Sequence, residues 1–288
     1  MNGIIIIDKP SGWTSHDVVS KLRGLLRERR IGHGGTLDPM ATGVLPVFVG
    51  RATRAVEFCE SAEKEYLAGM RFGLTTDTQD ITGRVLTESG SSVTAGELEA
   101  VLPRFTGELE QLPPMYSAVK VGGKKLYELA RRGMEAERKP RAVTIRTLEL
   151  TGWDGKDALL RVVCSKGTYV RTLIHDIGED LGCGAAMSSL RRTRAGSFTL
   201  ADARTLEEVE AASQSGTADL LLRPVDSLFA ALPRLTVTEE GEKRIRNGVA
   251  FPYPGKDGTY RVYGPGGFLM LGRLASGVLS TIKSFFEV

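Results

Sequence analysis

The chain has 288 residues, 41% of them hydrophobic, and carries 38 Lys and Arg against 35 Asp and Glu for a net charge of +3. That length suits one large domain or a large one with a small one behind it, with ample apolar content for a core. Cys59, Cys164 and Cys183 lie far apart with no C-x-x-C pair, which excludes a disulfide framework and reads as free thiols in a reducing compartment. No apolar run approaches a membrane span. Ile4–Ile7 lacks a basic lead and is cut off by Asp8, so it is a strand and not a signal peptide. The expectation is a soluble, cytoplasmic protein with no membrane partner.

In chain order, Gly3 to Ile7 is a short β-branched strand, turned by Asp8-Lys9-Pro10-Ser11-Gly12. Ser15 to Arg30 reads as a helix with Val18, Val19, Leu22, Leu25 and Leu26 at helical spacing and Ser15 as N-cap. Gly32 to Gly43 is a loop, followed by a buried apolar run, Val44 to Val49. Arg54 to Cys59 starts a short helix. Tyr66 to Leu74 alternates as a strand, with Tyr66, Ala68, Met70 and Phe72 on one face. Thr75 to Gly83 is a polar loop, Thr94 to Leu102 a helix stopped by Pro103, and Glu108 to Pro114 a loop.

From Lys120 to Arg141 there are eight Lys and Arg against three Glu, a basic excursion with a turn at Gly122-Gly123 and a short helix over Lys124 to Arg132. A helix this short needs packing or a ligand to order it. A second basic stretch, Lys21 to Arg30, holds five against one. Both suit a phosphate backbone, although such runs are commonly solvated helix faces. Val143 to Leu150 and Ala158 to Cys164 are strands, Tyr169 to Leu181 a helix, and Ser188 to Leu200 a further extended stretch. Thr205 to Ala212 is a short acidic helix. Beyond a connecting region at Pro224 to Pro233, Leu235 to Val288 is glycine-rich with short β-like runs, and reads as a small β domain.

The loop Gly32 to Gly43 holds four glycines, His33 and Asp38 in twelve residues. So many glycines imply that the backbone approaches something closely, and Asp38 before Pro39 is pushed towards an extended conformation. By itself an Asp-Pro among glycines is a turn. The three histidines are scattered, with no metal spacing, no phosphate-binding loop and no serine elbow. An enzyme built from this inventory works with carboxylates, a tyrosine and an arginine, without metal or cofactor.

That loop resembles the GHxGxLDPxATG signature of the TruB family, the tRNA pseudouridine-55 synthases. Four more segments match the family in order: Asp8 to Gly12; Lys64-Glu65-Tyr66 with Phe72 to Asp80; Pro114 to Lys120; and Ser165 to Thr172. The match is strong over residues 1–200 and weak in the tail. It implies an α+β fold, with a mixed, mainly antiparallel sheet flanked by helices and a small PUA-like RNA-binding domain. The expected division is a catalytic domain over 1–232, with an RNA-clamping insertion at about 122–141, and a C-terminal domain over 233–288.

By motif position, the resemblance makes Asp38 the catalytic aspartate and Arg171 the arginine that pairs with it. Asp80 is the carboxylate on the far side of that arginine, and Tyr66 the tyrosine stacked on the target uracil. Tyr169 and Leu190 line the uracil pocket, and His33 fills the space left by the flipped base. Lys124, Lys125, Arg131 and Arg132 belong to the clamp. Lys9 and Pro10 support the active-site loop, and Asp77 is left to a turn. The implied partner is the T-arm of tRNA. The insertion points to the stand-alone type, without guide RNA, and no segment marks an obligate protein partner.

Overall fold

Ile4–Ile7 are all buried, because the strand they form is covered on both faces and so reads as an unbroken apolar run. Ile5 and Ile7 face the main core; Ile4 and Ile6 face a second one. The computed structural model describes residues 1–90 and 92–286. Its elements open with β1 (Gly3–Lys9), α1 (Ser15–Leu26), β2 (Ile31–His33), β3 (Thr42–Val49), α2 (Val56–Glu60), β4 (Lys64–Phe72), β5 (Leu74–Thr76), β6 (Val85–Glu88), α3 (Ala95–Val101) and β7 (Gly107–Gln111). The basic excursion forms β8 (Lys120–Val121), β9 (Lys124–Lys125) and α4 (Leu126–Ala130). Then follow β10 (Arg141–Trp153), β11 (Asp157–Cys164), α5 (Val170–Asp180), β12 (Ala185–Ala195), β13 (Phe198–Thr199) and α6 (Leu206–Gln214). The C-terminal elements are β14 (Arg234–Thr236), α7 (Glu239–Arg246), β15 (Phe251–Pro252), β16 (Gly258–Gly264), β17 (Gly267–Ala275) and β18 (Val278–Ser284).

The large sheet runs β1-β3-β12-β4-β11-β10-β7, with β2 added to β3 and β13 to β12. All its pairings are antiparallel except β12 beside β3, so the expected mixed, mainly antiparallel α+β architecture is what forms. Apolar stripes of α1 (Val18, Leu22), α3 (Leu98), α5 (Leu173, Ile174, Ile177) and α6 (Val209) share a core with Val47, Ala68, Met70 and Leu160 of the sheet. The outer edge of β1 is closed by the chain near Arg204 and Arg223, whose backbones bond to Ile4, Ile6 and Asp8. No helix among the described residues is long and apolar enough to cross a membrane. The three cysteines are buried free thiols, and loss of water pushes Cys59 and Cys164 up to about 11, so neither forms a thiolate readily.

A second sheet, β14-β16-β17-β18-β15, wraps a smaller core around Leu235, Val262 and Leu279. It is joined to the rest by a cluster of aromatic rings. Phe285 stacks on Phe268 at 5.3 Å and meets Phe229 at 5.8 Å. The Tyr263 hydroxyl donates to Asp226 across the same seam.

Several local expectations give way to other geometry. The N-cap of α1 is Thr14, not Ser15. Thr14 and Asp17 form a reciprocal capping box, and the helix stops at Leu26 because Arg27 turns left-handed (φ 49°). Glu108 to Gln111 is not loop but the edge strand β7. It alternates Leu109 and Gln111 inward with two glutamates outward, and an inward glutamine hides the period. The helix α7 interrupts what reads as a purely β domain; it buries only Gly241 and Ile245, too few to show a helical stripe.

Candidate active site

The loop carrying Asp38 is bolted on both sides of that residue. Before it, the Ser15 hydroxyl accepts the Leu37 N–H at 2.8 Å, which is why Ser15 is not free to cap its helix. After it, the Pro39 carbonyl accepts from the Gly12 N–H (2.8 Å) and from the fully buried Lys9 ammonium (3.2 Å). Lys9 also donates to the carbonyls of Pro10 (2.8 Å) and Trp13. Burial brings its pKa down to about 8, against the opposing pull of Asp38. Lys9 thus ties the turn after β1 to the loop at Pro39.

The glycines do allow close approach, but to the protein itself. A Cβ on Gly34 would lie 2.7 Å from Cys59 Sγ, and one on Gly43 (φ +99°) would lie 2.2 Å from the Arg192 carbonyl oxygen. Gly43→Ala is therefore expected to cost at least about 2 kcal/mol, measured by urea unfolding, because it combines backbone strain with a clash against a main chain that has no room to move.

Arg171 stands in the first turn of α5 with 5% of its side chain exposed. Its Nη2 donates to Asp38 Oδ1 at 3.1 Å and to the Tyr116 carbonyl at 2.9 Å, and its Nη1 donates to the Thr78 carbonyl at 2.9 Å. Nε lies 2.9 Å from Asp38 Oδ2, close enough to pair charges although its N–H is not aimed at that oxygen. On the far side Nη1 is 3.8 Å from Asp80 Oδ2. Asp80 is itself held by Thr78 Oγ1 and the Thr82 N–H, each at 2.9 Å from Oδ1. The three residues form one network drawn from three separate segments. Asp77 accepts the Arg84 N–H on its carboxylate and donates its own N–H to the Arg84 carbonyl, which closes the turn.

Loss of water around Asp38 raises its carboxyl pKa; Arg171 opposes the rise and Asp80 adds to it. A third of the Asp38 side chain is nevertheless open, and solvent reaching it there moderates the rise. A cavity of about 600 Å³ adjoins the loop, lined by Ser11, Met40, Thr42, Leu190 and Arg191 among others. The network thus combines a rigid, charge-paired back with an open carboxylate edge.

Tyr66 is buried on β4, and Leu190 faces the same core from β12, opposite Ala68. Burial raises the phenol pKa, while the neighbouring Arg192 lowers it. Bulges at Ser188 and Thr193 bracket the segment that carries Leu190, Arg191 and Arg192, and so set which face each takes. Tyr169 is the N-cap residue of α5, two positions before Arg171. His33 ends β2; its Nδ1 is buried with no hydrogen-bond partner among the described residues, and burial lowers its pKa. Lys124, Lys125, Arg131 and Arg132 stand in β9 and just after α4, on the basic excursion. There Lys125 and Arg131 each stand 5.4 Å from the Tyr127 ring centre.

Sequence reasoning missed three residues of this neighbourhood. Arg192 is 1% exposed and has no ion pair among the described residues; it donates to the carbonyls of Gly35 (3.1 Å) before Asp38 and Val44 (2.6 Å) after it. Gln79 and Gln111 bond to the first turn of α5. Arg192 and Gln111 bond to main-chain groups, which leave no trace in a motif, whereas Gln79 and Thr172 both stand inside matched segments and only their pairing went unread.

Two family models match the chain end to end over residues 23–230. The model for the TruB family pseudouridylate synthase N-terminal domain covers residues 23–170, and that for the tRNA pseudouridylate synthase B C-terminal domain covers 171–230. The chain belongs to the TruB family of pseudouridylate synthases. It is 48% identical over 280 residues to tRNA pseudouridine synthase B of Azoarcus sp. (strain BH72), covering 97% of this chain and 93% of that one. It is 47% identical over 259 residues to tRNA pseudouridine synthase B of Bacillus cytotoxicus, covering 86% and 84%. Among solved structures it resembles a Cbf5-Nop10-Gar1 complex chain (TM-score 0.75, 29% identity, covering 99% and 85%). It also resembles a chain of an H/ACA RNP bound to a substrate RNA containing 2'-deoxyuridine (TM-score 0.74, 26% identity, covering 99% and 85%). The junction between the two models falls between Val170 and Arg171, in the first turn of α5.

Proposed function

We propose that this chain isomerises uridine to pseudouridine at position 55, in the T-loop of tRNA, without a guide RNA. The observation that carries the reading is the Asp38 carboxylate, oriented from behind by a buried arginine and open in front. In the reaction the C1′–N1 bond breaks, the uracil rotates, and C1′ bonds to C5; the proton leaves C5 and N1 gains one. Whether the carboxylate attacks C1′, adds to C6 or acts as base toward a glycal, it must be ionised, and the Arg171 pairing favours that state. Tyr66 packs against the uracil and its hydroxyl takes part in proton transfer, with Tyr169 and Leu190 closing the pocket. Flipping the base costs a few kcal/mol, offset by His33 in the vacated space and by contacts to the RNA.

We take residues 1–232 as the catalytic domain and 233–288 as the PUA-like RNA-binding domain, a division supported by the second sheet with its own core. The excursion is read as the clamp on the T-arm. Replacing Lys124, Lys125, Arg131 and Arg132 by alanine is expected to weaken tRNA binding and to flatten its salt dependence. The log–log slope should fall by about one unit for each phosphate that is no longer neutralised. Binding titrations at several salt concentrations check this.

The test of the whole reading is single-turnover conversion of an unmodified tRNA transcript with no other RNA present, followed by chemical mapping of pseudouridine. Product at the T-loop uridine is expected. Conversion only after a guide RNA is added would favour a guide-dependent enzyme, and tight binding with no product would leave only an RNA-binding protein.

A further inference from the structure

We infer that Gln111 is a positioning residue for the reaction: its side-chain amide sets the backbone of Tyr169 and thereby the first turn of α5, on which Arg171 stands. This rests on the function proposed above.

Gln111 ends β7 and is buried. Its Oε1 accepts the Tyr169 N–H at 2.7 Å, and its Nε2 donates to the Tyr169 carbonyl at 3.0 Å. A primary amide presents a donor and an acceptor together, as a backbone residue does, so the side chain here pairs with Tyr169 as a neighbouring strand would. Tyr169 is the N-cap of α5, and its own side chain makes no capping bond. The amide is what fixes the entry of the chain into the helix. From Gln111 the chain runs on to Tyr116, whose carbonyl takes Arg171 Nη2 at 2.9 Å. One segment therefore grips the helix backbone at 169 and the guanidinium at 171.

The opposite side is gripped in the same way. Gln79 holds a left-handed backbone (φ 63°), which a residue with a side chain rarely adopts. Its Oε1 accepts from Thr172 Oγ1 at 2.8 Å, and the flanking Thr78 carbonyl takes Arg171 Nη1. Strain of this kind persists only where the surroundings over-determine it, and here the turn must meet Arg171, Thr172 and, through the Gln79 carbonyl, the Met187 N–H at once. Arg171 thus sits in a turn clamped at Tyr169 and at Thr172. Its distance to Asp38 is set by these two glutamines and not by the ion pair alone.

The experiment compares Gln111→Met, which keeps length and loses the amide, with the wild-type full chain. Three quantities are followed: the single-turnover rate at saturating enzyme across pH, the affinity for tRNA transcript, and the folded fraction by circular dichroism. The charged groups facing Asp38 are Arg171, Asp80 and Lys9, and the substitution changes none of them. The rate per folded molecule is expected to fall about 10- to 100-fold, the scale that misplacement of a catalytic group by up to about 1 Å produces. Affinity should stay within about threefold, since the contacts to the RNA outside the uracil pocket, which carry most of the binding, are untouched. The acid limb should move to higher pH, because a displaced Arg171 opposes the rise of the Asp38 pKa less. Gln79→Gly removes the other clamp while relieving backbone strain, and is expected to show the same pattern in a chain that keeps its fold. Wild-type rate per folded Gln111→Met molecule overturns the inference. So does a rate loss matched by an equal loss of affinity with an unmoved acid limb. If the wild type itself makes no pseudouridine, the proposed function falls first, and that result is distinct from either.

Discussion

Asp38→Asn is expected to reduce pseudouridine formation about ten-thousand-fold or more, the scale of losing a group that acts only in the chemical step, while tRNA affinity stays within about threefold. Asparagine keeps the shape and one acceptor for Arg171, but cannot carry the negative charge that each route to the product requires. Its effect on stability should run the other way. The folded-state pKa of Asp38 is raised above the ordinary 3.8, so the folded protein binds that proton more tightly than the unfolded chain does. The stability this contributes is complete below the unfolded pKa and is lost as pH rises through the folded one. At neutral pH the ionised carboxylate is therefore a liability that asparagine removes, offset in part by the weaker partner left for Arg171. The variant should melt within about 1 kcal/mol of wild type at pH 7. By the same sign, the wild-type rate should climb with pH along an acid limb lying above the ordinary carboxylate range. A melt, a binding titration and a single-turnover profile check the three parts, and loss of binding together with turnover would show that Asp38 is structural.

What can be read from the residues divides by the kind of contact involved. Asp38, Arg171 and Asp80 stand in separate motifs, and only the family resemblance groups them without geometry. The helices α1 and α5 show their buried stripes directly, because each packs one apolar face against the sheet. Arg192 behaves differently. It stands in a run with Arg191 and Arg194, which reads as a solvated strand face, yet it is almost fully enclosed. Its bonds go to main-chain carbonyls, which any residue can supply, so its partners have no identity to recognise. The bulges at Ser188 and Thr193 decide which face Leu190 and Arg192 occupy, and a one-residue insertion in register is invisible in an alternating pattern. Gln111 escapes notice for a related reason. A polar residue pointing inward breaks the period that would mark β7 as a strand, and the amide that breaks it is the one that holds Tyr169.

Arg171→Met is expected to lose about 3–5 kcal/mol of stability, because it leaves the Asp80 carboxylate, 7% exposed, facing a buried methyl group in place of a cation. Arg171→Lys separates charge from shape. Lysine restores a positive centre, but a single ammonium cannot meet Asp38, the Thr78 carbonyl and the Tyr116 carbonyl with the planar fork that arginine uses. It should fold with a smaller penalty and still turn over roughly 100-fold more slowly, since orientation of the carboxylate and not charge alone sets the rate. Combining Asp38→Asn with Arg171→Met tests the same point thermodynamically. If the two side chains act as one unit, the double variant should be less destabilised than the sum of the single variants by about 0.5–3 kcal/mol. Additive losses would mean that Arg171 is held by its carbonyl partners and Asp80 alone, and that Asp38 merely stands beside it. A coupling of the expected size would mean that the guanidinium is shared between the fold and the reaction. The buried carbonyls and Asp80 then hold it in place at a fixed position, and Asp38 draws its orientation from a cation that cannot move to follow it.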